Sequence, residues 1–195
     1  MNSIDVMVDL ETTGTKTGCC ILSIGACTFD EKEKFYAKIL HSSCLEANLA
    51  DSIGTMNWWG KQSPKARMEA FSGTTPLLEV LGGFADFLRR LESQYGQVFI
   101  WGNGADFDLP ILGVAYSAVG MENPWKPFNG RCYRTLKNLH KDIKADEFIG
   151  EKHNALDDAV FQARHALKIL RNKKQQELFV EVQQRQQVIA VNLPA

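Results

Sequence analysis

Nothing in this sequence marks a membrane span, since no run of about 18 or more apolar residues occurs. The opening Met-Asn-Ser-Ile-Asp-Val lacks the basic segment and apolar stretch of a secretory signal, so none is expected. Cysteine is sparse. Cys19, Cys20, Cys27, Cys44 and Cys132 are odd in number and form no Cys-x-x-Cys pair. That argues against a zinc site or a disulfide framework, and for free thiols in a reducing cytoplasm. An excess of charge of one sign is also missing. A net charge of −1 excludes a polycation that grips nucleic acid by bulk electrostatics, so any such contact must be local. No internal repeat and no interdomain linker is visible. What remains is 195 residues, 45% of them hydrophobic: enough for one core, and too apolar for a disordered chain.

Residues 4–10 are apolar and β-branched and predict a strand ending in the loop signal Glu11-Thr12-Thr13-Gly14. Further strands are expected over 20–29 and 35–40, the two joined by the charged turn Asp30 to Glu33. Short links between the three suggest an antiparallel start to a sheet. Residues 45–71 read as irregular helix carrying Trp58-Trp59. Residues 75–93 form an amphipathic helix with Leu77, Leu81, Phe84, Leu88 and Leu91 on one face. Gly82-Gly83 inside it suggests close packing there. A strand over 97–101, a helix from about Asp108 to Val119, a weak strand near 128–133 and a short helix over 135–140 follow. The last core helix covers 154–170. From Asn172 the composition turns to Gln, Lys and Glu, which predicts an appended helix to 187 and a frayed tail, 188–195. The expected organisation is a mixed-sheet α/β domain over 1–171 with a helical extension over 172–195.

Three clusters carry chemistry. Asp9 and Glu11, two apart on a strand, project from the same face at its carboxyl end, where open α/β sheets place their sites. Two like charges held together disfavour ionisation unless a cation joins them, and hard oxygen donors favour magnesium or manganese. Asp108 follows the strand 97–101 through Gly102-Asn103-Gly104, a stretch whose backbone can turn tightly and approach a ligand. Taken alone, Asp108 would simply cap a helix. In His153-Asn154-Ala155-Leu156-Asp157-Asp158, Asn154 caps the last helix, with Asp157 completing a box-like pair. Asp158 then lies on or near the inward side, and His153, on the loop before the cap, suits proton transfer.

Asp9-Leu10-Glu11-Thr12-Thr13-Gly14, then Phe107-Asp108, then His153 with Asp158 five residues on, resembles in order and spacing the DEDDh family of 3′→5′ exonucleases. That family includes RNase T, oligoribonuclease and the proofreading subunit of the bacterial replicative polymerase. The resemblance covers residues 4 to about 170. A more specific likeness, to phage and prophage exonucleases and the related bacterial exoribonuclease-like group, rests on Trp58-Trp59 before Gln62-Ser63-Pro64-Lys65-Ala66-Arg67. Gly104 stands where many relatives have Asn, and Asp157 is an additional acid beside Asp158.

The resemblance implies an RNase H-like fold, a five-stranded mixed sheet flanked by helices. It implies that Asp9, Glu11, Asp108 and Asp158 hold two Mg2+ or Mn2+ ions about 3.5–4 Å apart, with His153 as general base. The implied substrate is single-stranded nucleic acid with a free 3′ end, cut to 5′-mononucleotides. DNA is the first reading; an exoribonuclease of the same family, or a catalytically silent 3′-end-binding module, are the alternatives. Leu10, Thr12, Trp58, Trp59, Asn103, Phe107 and Arg134 are the expected substrate contacts. Leu10 and Phe107 would wedge against the terminal base, and one indole would stack while the other packs in the core. The location implied is cytoplasmic (that of the host, for a phage-encoded chain), with no membrane partner and a homodimer through the C-terminal helix as a further expectation.

Overall fold

The computed structural model describes residues 3–191, with side chains described through Lys174. Five strands form one sheet: β1 (Ser3–Thr12), β2 (Ile21–Thr28), β3 (Lys34–Lys38), β4 (Gln97–Gly102) and β5 (Gly130–Cys132), in the order β3-β2-β1-β4-β5. β1 pairs antiparallel with β2, and β2 with β3, as the short links between them require. β4 runs parallel to β1 and β5 parallel to β4, each after a helical crossover. This is the mixed five-stranded sheet expected for an RNase H-like fold.

Three short helices, α1 (His41–Glu46), α2 (Ile53–Gly60) and α3 (Pro64–Ala70), occupy the stretch expected to be irregular. They are followed by α4 (Leu77–Tyr95), α5 (Asp108–Ala118), α6 (Tyr133–Leu139) and α7 (Ala155–Val191). Alternation along β1 sorts its side chains between two layers. Val6, Val8 and Leu10 join the core that Leu81, Phe84 and Leu88 of α4 and Ile111 and Leu112 of α5 complete. Met7 faces the other way, into a smaller core with Ala159, Val160 and Ala163 of α7 and Tyr133 of α6. Asp9 and Glu11 continue the Met7 face, and so point toward α7.

Two expectations are modified. The helix expected over 154–170 and the appended helix expected over 172–187 form one element, α7, which runs through Val191, because residues 155–191 contain neither Gly nor Pro and are rich in good helix formers. The tail beyond 191 lies outside the described residues. Gly82 is not held by close packing. A Cβ there would meet nothing within 4 Å, and one at Gly83 would make an ordinary 3.6 Å contact with Phe35.

Gly25 is the glycine that packing demands. It pairs with Asp9 across the ladder, and a Cβ on it would stand 2.1 Å from the Ala155 carbonyl carbon. Its missing side chain lets the first turn of α7 sit directly against the sheet beside the β1 carboxylates.

Candidate active site

Carboxylates from β1 and α7 meet at the carboxyl end of β1. Asp9, Glu11 and Asp158 each offer an oxygen, all within 4.8 Å of one another. Strand periodicity aims the first two at α7, and the close approach at Gly25 brings Asp158 of its first turns to meet them. Asp108, at the start of α5, stands outside that group of three but close enough for its charge to act on Asp9 and Glu11. It is fully buried, and its Oδ2 accepts a 2.6 Å hydrogen bond from the Asn103 backbone N–H. Phe107, not Asp108, occupies the position before the helix, and no side chain caps it. Asp108 therefore serves no capping role: it turns back onto the β4–α5 loop.

The electrostatics follow from crowding. Burial, then the charges of Asp108, Glu11 and Asp158, push Asp9 well above the ordinary carboxylate range. Burial with Asp158 and Asp108 pushes Glu11 to about 8. Burial raises Asp108 to about 6, opposed by backbone hydrogen bonds and by the Arg134 guanidinium. Asp158 is raised by burial and eased by His153. Three carboxylates that resist ionisation side by side, with Asp108 nearby and its Oδ1 buried and lacking a hydrogen-bond partner, make a donor set that fits hard divalent cations.

Gln162, one turn beyond Asp158 on α7, donates from Nε2 to Asp9 Oδ1 at 2.7 Å. Sequence reasoning passed over this residue. The available signal was its i+4 spacing from Asp158, which places both on one helix face.

His153 is exposed on the loop before α7, with φ at 65°. Its ring meets Trp58 edge-on, centroids 5.1 Å apart, and Trp59 at 6.1 Å. The loop is pinned on both sides. Asn154 caps α7 by accepting from the Leu156 and Asp157 N–H groups at 3.0 and 3.2 Å. Asp157 Oδ2 accepts from the Glu151 N–H at 2.9 Å, while Glu151 pairs with Lys65 at 2.6 Å. The extra acid is thus a loop brace standing outside the Asp9–Glu11–Asp158 group.

Beside the carboxylates lies a cleft of about 410 Å³, lined among others by Leu10, Glu11, Thr12, Trp58 and Phe107. The two indoles divide their roles. Trp59 is 1% exposed and donates from Nε1 to the Thr12 carbonyl at 2.9 Å, while Trp58 is 40% exposed. The Thr12 hydroxyl is spent on the Gly14 carbonyl at 2.6 Å, which shapes the loop. Asn103 presents a buried Oδ1 with no hydrogen-bond partner, and exposed Arg134 lies across Gly104, where a Cβ would stand 3.6 Å from its guanidinium carbon.

The five-stranded sheet order is that of the RNase H-like fold, and the family model that matches most of the chain makes it a 3′-5′ exonuclease. More narrowly, it belongs to the Rv2179c-like family, described as the 3′-5′ exoribonuclease Rv2179c-like domain, whose model matches residues 4–170. Among solved structures it is similar to the nuclease domain of 3'hExo, a DEDDh family member bound to rAMP. That match has 14% identity and a TM-score of 0.60, and covers 88% of this chain and 93% of the other. It is similar also to cell-death related nuclease 4 (CRN-4), at 13% identity and a TM-score of 0.49, over 87% of this chain and 64% of that one. No curated protein matches the sequence. Among the described residues, no helix is long and apolar enough to cross a membrane.

Proposed function

We propose that the chain removes nucleotides one at a time from the 3′ end of single-stranded RNA, releasing 5′-mononucleotides. The observation that carries this reading is the convergence of Asp9, Glu11 and Asp158 within 4.8 Å at the mouth of an apolar cleft. The family's description as exoribonucleases supports RNA ahead of DNA, which reverses the order given above.

Asp9, Glu11, Asp108 and Asp158 would hold two Mg2+ or Mn2+ ions. When bound, these ions supply the positive charge that offsets the carboxylates and stabilises negative charge developing at the scissile phosphate. Gln162 fixes the orientation of Asp9 through its 2.7 Å hydrogen bond. Leu10 and Phe107 form an apolar wall for the terminal base, and the exposed Trp58 offers a stacking face. His153 takes the proton of the attacking water at an imidazole nitrogen, held beside the site by Trp58 and the braced loop. Asn103 and Arg134 would contact the nucleotide from the β4–α5 side. Local groups of this kind suffice for a chain of near-zero net charge. Residues 1–171 would carry the activity and 172–195 form an extension available to a second copy, which sedimentation of the full chain tests.

A time course on 5′-labelled and 3′-labelled single-stranded RNA and DNA, with magnesium, manganese or EDTA, tests the function. We expect a ladder shortening from the 3′ end, labelled mononucleotide released at once from the 3′-labelled strand, and no reaction in EDTA. Cleavage from the 5′ end, or full activity in EDTA, would overturn it.

A further inference from the structure

Next to the Thr12–Gly14 loop, three unlike donors converge from separate segments of the chain. The Cys20 sulfur, a His41 ring nitrogen and an Asp51 carboxylate oxygen all lie within 4.8 Å of one another. We propose that Cys20, His41 and Asp51 form a second metal site, distinct from the acid cluster and selective for zinc. The cysteine spacing argued against a zinc site because it holds no Cys-x-x-Cys pair; here a single cysteine is joined by His and Asp donors that only the fold brings together, and the exonuclease reading assigns none of the three a role.

The donor chemistry separates this site from the catalytic one. A thiolate and an imidazole favour zinc, whereas four carboxylates favour magnesium or manganese. Zinc bonds of about 2.0–2.3 Å place tetrahedral donors about 3.3–3.8 Å apart, so side-chain adjustment of an ångström closes the set. The positions are already held by backbone. Cys20 N–H donates to the Ala50 carbonyl at 3.2 Å, Thr13 N–H to the Cys20 carbonyl at 3.0 Å, and Ser52 N–H to the Thr13 carbonyl at 2.9 Å. His41 is the first residue of α1, its ring set edge-on to Phe71, and its Nε2 stands 2.8 Å from Asp51 Oδ1.

Burial is graded across the cluster. Cys20 is fully buried, while the side chains of His41 and Asp51 are 25% and 28% exposed. A buried sulfur floor under a solvent-facing rim leaves the fourth position to water. The neighbouring Cys44 donates from Sγ to the Ile21 carbonyl at 3.4 Å and also hydrogen-bonds to Cys20, which together with burial holds the Cys20 thiol protonated, so an ion must displace that proton. On binding, Cys20 loses its thiol proton to solvent and the ion takes the place of the hydrogen bond between His41 and Asp51. The ion would staple the start of β2 to α1 and to the turn before α2, the helix that carries Trp58 and Trp59.

The test uses cobalt(II) as the probe, on the reduced full-length protein with magnesium in excess to occupy the acid cluster. One equivalent of cobalt should produce a thiolate-to-cobalt charge-transfer band that zinc bleaches and further magnesium does not. Cys20→Ser should abolish the band, and His41→Ala should weaken cobalt binding at least about tenfold. Cys132→Ser should change neither. No band in the wild-type protein, a band that survives Cys20→Ser, or unaltered affinity in His41→Ala overturns the site and leaves His41–Asp51 as a simple ion pair. Should Cys20→Ser fail to fold, the partly exposed His41 position decides alone.

Discussion

The indole of Trp58 and the imidazole of His153 meet edge to face, their ring centroids 5.1 Å apart and their planes at 86°. A half-exposed aromatic therefore flanks His153 on the loop before α7, while its neighbour Trp59 is sealed in the core against Leu22 and Ala70. Replacing Trp58 with Ala should weaken single-strand binding by about 1–3 kcal/mol with little change in melting temperature. Trp59→Ala should instead cost about 3–5 kcal/mol of stability. Oligonucleotide titrations and thermal melts of both variants separate the two roles. A stable Trp59→Ala protein, or full affinity in Trp58→Ala, would contradict the division.

The same histidine sets a kinetic expectation. His153→Ala should lower the catalytic rate by about 10²–10⁴-fold while binding persists. A base acts when deprotonated, so the wild-type rate should rise with pH along an acidic limb that the variant lacks. Retention of that limb in His153→Ala would assign it to another group.

The metal-free protein should lose stability as pH rises. Glu11 is pushed to about 8 and Asp9 and Asp108 are raised as well, so the native state holds protons that an unfolded chain has released. Between the ordinary carboxylate range and about pH 8, unfolding thus releases protons, and stability falls with each step upward. Melting in EDTA at pH 5 and pH 8 should show the drop, and magnesium or manganese should restore the midpoint at pH 8. Glu11→Gln should raise the EDTA midpoint at pH 8 while abolishing turnover. A midpoint in EDTA that is flat with pH would count against the crowded-carboxylate account.

Gln162 is expected to act through Asp9, not on substrate. Gln162→Leu keeps the bulk but removes the 2.7 Å hydrogen bond, and metal affinity should fall about 10–100-fold. Raising the manganese concentration should recover much of the rate. Loss of rate that manganese cannot rescue would point to a different role.

Asp157→Ala should spare the metal-dependent step, since Asp157 braces the Glu151 N–H and lies outside the Asp9–Glu11–Asp158 group. We expect a rate reduction well below that of Asp9→Ala or Asp158→Ala, both of which should be inactive. Equal losses at 157 and 158 would mean that the ligand on α7 has been misassigned.

The Asp9–Glu11 pair, the acid after β4 and the His153–Asp158 spacing were singled out by their joint likeness in order and spacing to the DEDDh exonucleases, and local periodicity only set which way some of them face. Side chains two apart share a strand face, and the capping Asn154 starts the helix that carries Asp158. The strand succession and the amphipathic helix over Leu77–Tyr95 were legible from local periodicity. Local pattern does not encode which distant surfaces touch. It could not say which indole is buried, since adjacent positions on a helix face differ by only about 100° and the choice depends on Leu22, Ala70 and Phe71 packing below. The i+4 spacing puts Gln162 on the helix face of Asp158, but only the approach of β1, with Asp9 at 2.7 Å, sets it apart from other polar residues there. The gathering of Cys20, His41 and Asp51 is likewise a tertiary event, made by backbone hydrogen bonds that fold the 50–52 turn onto the start of β2. Gly25 sits on the same divide: its lack of a side chain is written in the sequence, but only the approach of α7 to within 2.1 Å of where a Cβ would stand makes that lack the condition for the site.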